Sequence, residues 1–315
     1  MKKMFSVCIL VIIVLSACSV SVSMPTIQAA LTPEKLIIGS TMVSPKDGMT
    51  LVYVPDGEFI MGSDTGSVDE QPIHTVYLDA FWIDQTEVTN AMFAKFSDET
   101  GYVTNAEKYG GSYVYRNESW TYVNGTDWMH PLGPNSNIVE NSNHPVVHIT
   151  WESANAYCVW AGRRLLSEAE WEKAASWDEI KSQKYVYPWG NDFDGALLNF
   201  CDRNCPFSWA NKNFDDGFEY TSPVGSYPRG ASSYGVYDMA GNIFEWVADL
   251  YSETYYSDSP TSNPLGPTLG DYRVLRGGSW NYYKEDDFRS ASRFGLTPSA
   301  SDISLGFRCA MSASK

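Results

Sequence analysis

The chain has 315 residues, a formal net charge of −16 and 14% aromatic residues, with 24 Gly, 16 Pro, 11 Trp and 20 Tyr. Acidity spread along the whole sequence repels phosphate backbones and argues against nucleic acid as a partner, and the aromatic content argues against disorder. The length suits one large domain or two small ones, and the Trp, Tyr, Gly and Pro content suits a loop-rich core of aromatic packing.

Met1-Lys2-Lys3 is a short basic start, and Phe5 to Leu15 is an apolar run of eleven residues. That is the length of a signal-peptide core and too short for a stable membrane span. Leu15-Ser16-Ala17-Cys18 follows directly. A branched apolar residue, two small ones and a Cys is the order read by a bacterial lipoprotein peptidase, which needs small side chains at the cut and a thiol to carry the diacylglycerol. Ordinary cleavage after Gln28-Ala29-Ala30 is the alternative. No later apolar run is long enough to span a bilayer. The expected organisation is a signal peptide at 1–18, a flexible tether rich in Ser, Thr, Pro and Val at 19–45, and a folded domain at 46–312. Cys18 is expected to anchor that domain to a membrane outside the cytoplasm, and losing Lys2 and Lys3 takes the charge from −16 to about −18.

Within the domain, Met49 to Ser63 predicts a hairpin, with Leu51 and Tyr53 set against Phe59 and Met61 around Pro55-Asp56-Gly57. A second strand pair is expected over His74 to Ile83, and a helix over Thr86 to Phe96 from the spacing of Met92, Phe93 and Phe96. Residues 97–143 show little periodicity and read as an elaborate loop region. Trp151 to Ala161 predicts a helix ended by Gly162. Ser167-Glu168-Ala169-Glu170 is a capping box that starts another, through Trp171 to about Ala175. From residue 185 the chain reads as short segments joined by turns. His74, His130, His144 and His148 show no metal-binding spacing, and no Gly-x-Ser-x-Gly marks a serine hydrolase.

Six cysteines remain to be placed. Cys8 lies in the signal core and Cys18 at the lipid site, leaving Cys158, Cys201, Cys205 and Cys309. An even number in an exported domain reads first as two disulfides. Cys201 and Cys205 are close enough to pair locally, which leaves Cys158 with Cys309. The rival reading of Cys201 and Cys205 is a clamp for Cu(I) or Zn(II).

Eight segments, in order, resemble the formylglycine-generating-enzyme (sulfatase-modifying factor) family. They are VPDGEFIMGS at 54–63, DQTEVTNAMFAKF at 84–96, HPVVHITWESANAYCVWAGRRLLSEAEWEKAA at 144–175, YPWGN at 187–191, SPVGSYP at 222–228, YGVYDMAGNIFEW at 234–246, VLRGGSW at 274–280 and LGFRCA at 305–310. The resemblance implies an α+β fold, an elaborated C-type-lectin-like domain with little regular secondary structure, and the Cys158–Cys309 disulfide. It implies two calcium sites. The first takes the Asp238 and Glu245 side chains with the Gly241 and Ile243 carbonyls; the second takes the Asn199 and Asp216 side chains with the Phe200 and Phe218 carbonyls. Oxygen donors on loops suit Ca²⁺, although Asp and Asn also cap turns.

Family enzymes oxidise a substrate Cys to formylglycine with O₂, using two Cys that hold Cu(I) shortly after the GGS motif. Here Tyr282 stands where the first would be, and Lys284 to Asp287 (Lys-Glu-Asp-Asp) covers the second, in a segment about two residues shorter. Hard oxygen ligands do not replace thiolates on Cu(I), so copper is not expected. Ser279, Trp280, Tyr282, Arg289 and Arg293 are candidates to line a groove for a peptide, a glycan or a small polar molecule; Trp280 and the arginines equally suit a core role. The resulting expectation is a cell-surface binding or accessory module without formylglycine-generating activity. A modifying oxidoreductase with an atypical site is the alternative.

Overall fold

The computed structural model describes residues 36–313 except residue 117; the signal segment, Cys18 and the tether up to residue 35 lie outside the described residues. In chain order the first half forms β1 (Thr41–Val43), β2 (Thr50–Val54), β3 (Gly57–Met61), β4 (His74–Leu78), β5 (Phe81–Asp84), α1 (Asn90–Thr100), α2 (Asn105–Tyr109), β6 (Gly111–Arg116) and β7 (Ser119–Asn124). The second half forms α3 (Trp151–Trp160), β8 (Arg164–Leu165), α4 (Glu168–Ser176), β9 (Trp177–Asp178), β10 (Gln183–Lys184), β11 (Phe244–Leu250), β12 (Arg273–Arg276), β13 (Phe294–Leu296), β14 (Leu305–Gly306) and β15 (Cys309–Ser312). Thr89, Thr150 and Ser167 start α1, α3 and α4 in the same way: each hydroxyl accepts an amide that the helix leaves unpaired. At Ser167 the capping box forms as expected, with Glu170 returning to the Ser167 amide.

Two sheets carry the domain. One has the order β1-β2-β5-β15-β8, antiparallel throughout; the other runs β13-β12-β11-β14, with β11 and β14 parallel. The expected hairpin at 49–63 is not formed. β2 pairs with β1 and β5, while β3 pairs with β4. β2 buries Leu51, Val52 and Val54 and so needs a strand on each edge, and the chain turns at Pro55-Asp56 to take β3 into a separate ribbon. His74 to Ile83 likewise holds two strands, but they serve different sheets. Pairing of Thr41–Val43 with β2 carries the sheet into the last residues of the stretch expected as a tether. Residues 97–143 are not wholly loop: they contain α2 and the β6–β7 hairpin.

β11 separates two apolar clusters. Val247 packs with Trp171, Phe81 and Ile83, while its neighbour Trp246 packs with Phe93, Tyr157 and Phe307. Between α4 and β12 the interior is charged. Arg276 is fully buried; its Nη2 lies 2.5 Å from Glu172 and donates to the Ser290 carbonyl, and its Nη1 donates to the carbonyls of Ala291 and Ser292. Lys184 donates to the same Glu172 at 2.6 Å. Burial pushes the Glu172 carboxyl up, but Lys184 and Arg276 outweigh it and hold the group at about 2.

Removing one partner of such a network leaves a buried charge uncompensated. Glu172→Gln is therefore expected to lose about 3–5 kcal/mol at pH 7 in urea unfolding. Because the folded pKa lies below the ordinary 4.5, the stabilisation is present above pH 4.5 and fades as pH falls toward 2. The gap between wild type and variant must shrink over that window.

Candidate functional site

The segment after β12 begins with two glycines that no other residue replaces easily. Gly278 has φ +76, and a Cβ there would sit 2.8 Å from the Phe288 ring and 3.0 Å from the Asp287 carbonyl. This tight passage drives the next side chains inward. Ser279 is buried, with its Oγ on Asn281. Trp280 is also buried; it stacks on Phe207 at 5.8 Å and donates from Nε1 to the Ile303 carbonyl. Arg293 sits in the core with two nitrogens on the Glu168 carboxylate at 2.7 Å, and Arg289 clamps Glu70 at 2.7 and 2.8 Å. Thus Ser279, Trp280 and Arg293 do not line a groove. Their polar atoms are consumed by the interior, because buried Glu168 demands a paired cation. Lys284 to Asp287 lies apart as a surface turn with Glu285 and Asp286 exposed.

Tyr282 faces a cleft of about 200 Å³, which Trp120, Phe244, Phe294 and Asp302 also line, while Arg289 lines a separate one of about 280 Å³ with Lys184 and Tyr185. Phe244 and Tyr282 meet at 5.0 Å with their planes at 90°, and Phe244 meets Phe294 at 4.9 Å and 72°. Burial, with Asp287 and Asp302 nearby, pushes the Tyr282 hydroxyl up to about 12, so it stays protonated at neutral pH. Burial also lifts Asp302, to about 6, against the amide and hydroxyl of Ser304 that hold its Oδ1 at 2.8 and 2.7 Å. A second cavity of about 450 Å³ adjoins the first, sharing Trp120, Leu296 and Asp302 and adding Tyr109, Tyr113 and Tyr122. Trp120 comes from the hairpin that reading for loops overlooked; the alternation of Tyr113, Tyr115, Trp120 and Tyr122 was the signal.

No thiol remains among the described residues. Cys158 is bonded to Cys309 and Cys201 to Cys205, with Cα separations of 5.6 and 5.0 Å. The second bond replaces the soft-metal clamp. It also abuts the cleft segment, since the Cys201 amide donates to the Tyr282 carbonyl at 2.8 Å.

The calcium loops are built from buried oxygen. Asn199 gives its amide hydrogens to the Tyr220 carbonyl and Asn242, leaving its Oδ1 buried without a partner. Asp216 accepts the amides of Phe200 and Phe218 at 3.0 and 2.8 Å, and burial lifts its carboxyl to about 7. In the other loop Asp238 takes the Gly225 amide at 2.6 Å. Glu245 is committed elsewhere: Arg308 holds both of its oxygens at 2.7 Å and Trp171 donates to one at 2.9 Å. Sequence reasoning missed Glu87, which is fully buried, takes the Asn242 amide on Oε1 and leaves Oε2 without a partner. Burial, with Asp238 close by, pushes Glu87 well above the carboxylate range. Among the described residues no three His, Cys, Asp or Glu side chains gather as a metal cluster, so a cation here would draw mainly on amide and carbonyl oxygen. Orphaned Asn199 and Glu87 oxygens and an oxygen-only donor set fit Ca²⁺; Glu245, as paired, does not fit as a free ligand.

The sulfatase-modifying factor enzyme 1-like domain matches residues 40–313. The chain belongs to this family. Formylglycine-generating enzyme of Streptomyces coelicolor is 39% identical over 297 residues, covering 85% of this chain and 91% of that protein. The mouse enzyme of the same name is 38% identical over 287 residues, covering 82% and 74%. Mouse inactive C-alpha-formylglycine-generating enzyme 2 is 37% identical over 287 residues, covering 84% and 86%. Among solved structures, PvdO from Pseudomonas aeruginosa superposes with a TM-score of 0.69 at 26% identity, covering 89% of this chain and all of that one. Sulfatase-modifying factor-like architecture therefore accounts for the α+β fold, and relatives with and without generating activity in their names stand at nearly equal identity.

Proposed function

We propose that this protein is an exported, lipid-anchored sulfatase-modifying factor-like domain that binds a ligand in the Tyr282 cleft and does not generate formylglycine. One observation carries the reading: Tyr282 occupies the floor of the cleft where the resemblance puts a reactive thiol, while every cysteine among the described residues is bonded to another. A protonated phenol neither holds Cu(I) nor exchanges with a substrate thiol. The cleft itself persists, walled by aromatic rings with a carboxylate at its edge, which is the composition of a recognition site. The mouse paralogue named inactive supports the idea that this scaffold persists without the activity. Incubating the protein with Cu(I), O₂ and a Cys-x-Pro-x-Arg peptide is expected to yield no aldehyde by mass spectrometry. Turnover at enzymatic rates sinks the reading.

Calcium, when bound, supplies positive charge to loops that bury more carboxylate than cation. Asn199 and Asp216 with the Phe200 and Phe218 carbonyls would hold one ion; Asp238 and Glu87 with the Gly241 and Ile243 carbonyls would hold another. Their role is rigidity: these loops carry Phe200 and the GGS approach on which the cleft rests. Replacing EDTA by millimolar Ca²⁺ is expected to raise Tm by about 4 °C or more; an unchanged Tm excludes both sites.

Export rests on the leader. Cys18 follows an apolar core and two small residues, and the two disulfides suit an oxidising exterior. Cys18→Ser is expected to move the protein from the membrane to the soluble fraction and to abolish incorporation of labelled palmitate. Retention with label intact places the lipid elsewhere.

A further inference from the structure

We infer that the Tyr282 cleft takes a small methylated ammonium cation, with the cation's polar tail lying along the adjoining cavity. This deepens the proposed binding role and rests on it. The argument starts from ring geometry. Phe244, Tyr282 and Phe294 do not form a flat platform; their planes cross at 90°, 72° and 68°, with centroids 4.9 to 5.9 Å apart. At these separations the three rings touch one another edge to face and form one continuous aromatic corner, against which a compact group packs. Trp120 closes the corner from the β6–β7 hairpin and is 44% exposed, so it can meet a ligand without unfolding anything. Trp is the strongest of the side-chain cation–π partners.

Charge points the same way. Asp302 lines both cavities, and among the described residues no Lys, Arg or Glu lines either one. Its Oδ1 is held by Ser304 alone, with no cationic partner. A carboxylate beside four aromatic rings is complementary to a soft, weakly hydrated cation and repels an anion. The overall charge of −16 adds long-range attraction for the same sign of ligand. Size agrees: about 200 Å³ holds a trimethylammonium head, and the adjoining cavity of about 450 Å³ offers Asn105, Ser299, Ser301 and tyrosine hydroxyls to a polar tail.

The test is calorimetric titration of the full-length chain, purified in a non-ionic detergent. The probes are choline, phosphocholine, the uncharged isostere 3,3-dimethylbutan-1-ol and methyl glucoside. Choline is expected to bind about tenfold or more tightly than its isostere, since the two differ only in charge. Phosphocholine binding as well as choline points to a headgroup source for the ligand, and choline binding alone points to a free base; both support the inference. Trp120→Ala and Asp302→Asn are each expected to weaken choline about tenfold. The amide introduced by Asp302→Asn keeps an oxygen acceptor for Ser304, and unchanged melting of both variants shows that the fold is intact. Equal binding of choline and the isostere overturns the inference, as does methyl glucoside binding in place of choline, or no heat with any probe. An aldehyde product in the peptide assay would instead strike the binding-module reading, so the two failures are distinguishable.

Discussion

The Glu172 carboxylate, buried between Arg276 and Lys184, is the constraint on which this domain turns. Few of its strands exceed five residues, so the sheets alone cannot position the long connections. Arg276 does that work from the end of β12. By donating to the carbonyls of Ser290, Ala291 and Ser292 it folds the whole 277–293 segment back on itself. Arg289 on Glu70 fastens the returning limb to the 68–70 turn, and Arg293 on Glu168 fastens it to α4 a second time. Tyr282 is thus presented by a loop whose two ends are held by guanidinium groups, each bonded to several acceptors. Desolvating these charges is costly, and their value lies as much in choosing one arrangement as in net stability.

Local chemistry was legible in the sequence, and long-range pairing was not. The hydroxyl cap at Ser167 acts within a few residues and is recognisable in any context, whereas the helix expected from Thr86 starts only after Thr89. β2, by contrast, pairs on one edge with β5, about thirty residues further along the chain, and nothing in Pro55-Asp56-Gly57 distinguishes a hairpin turn from a change of sheet. The arginines left a groove role and a core role equally open for a related reason. A guanidinium read in isolation suggests a surface or a ligand, and only the buried row of Glu168 and Glu172 on α4 shows where it belongs. Glu87 escaped notice because its significance depends on Asp238, far along the chain, folding beside it.

Under the proposed binding role, the cleft exchanges chemistry for recognition. Replacing a thiol by a phenol removes a redox group but adds a ring, and that ring meets Phe244 and Phe294 at the angles of a corner. The Cys201–Cys205 bond lies immediately behind it, with the Cys201 amide on the Tyr282 carbonyl.

β15 is the last strand in sequence yet lies inside its sheet, between β5 and β8, and carries Cys309 to its bond with α3. A chain that emerges N-terminus first therefore holds an open seam between β5 and β8 until residue 312 arrives. A fragment ending before residue 309 lacks both the strand that fills this seam and the partner of Cys158. Closure of the sheet and the cross-link to α3 thus both fall to the last strand of the chain.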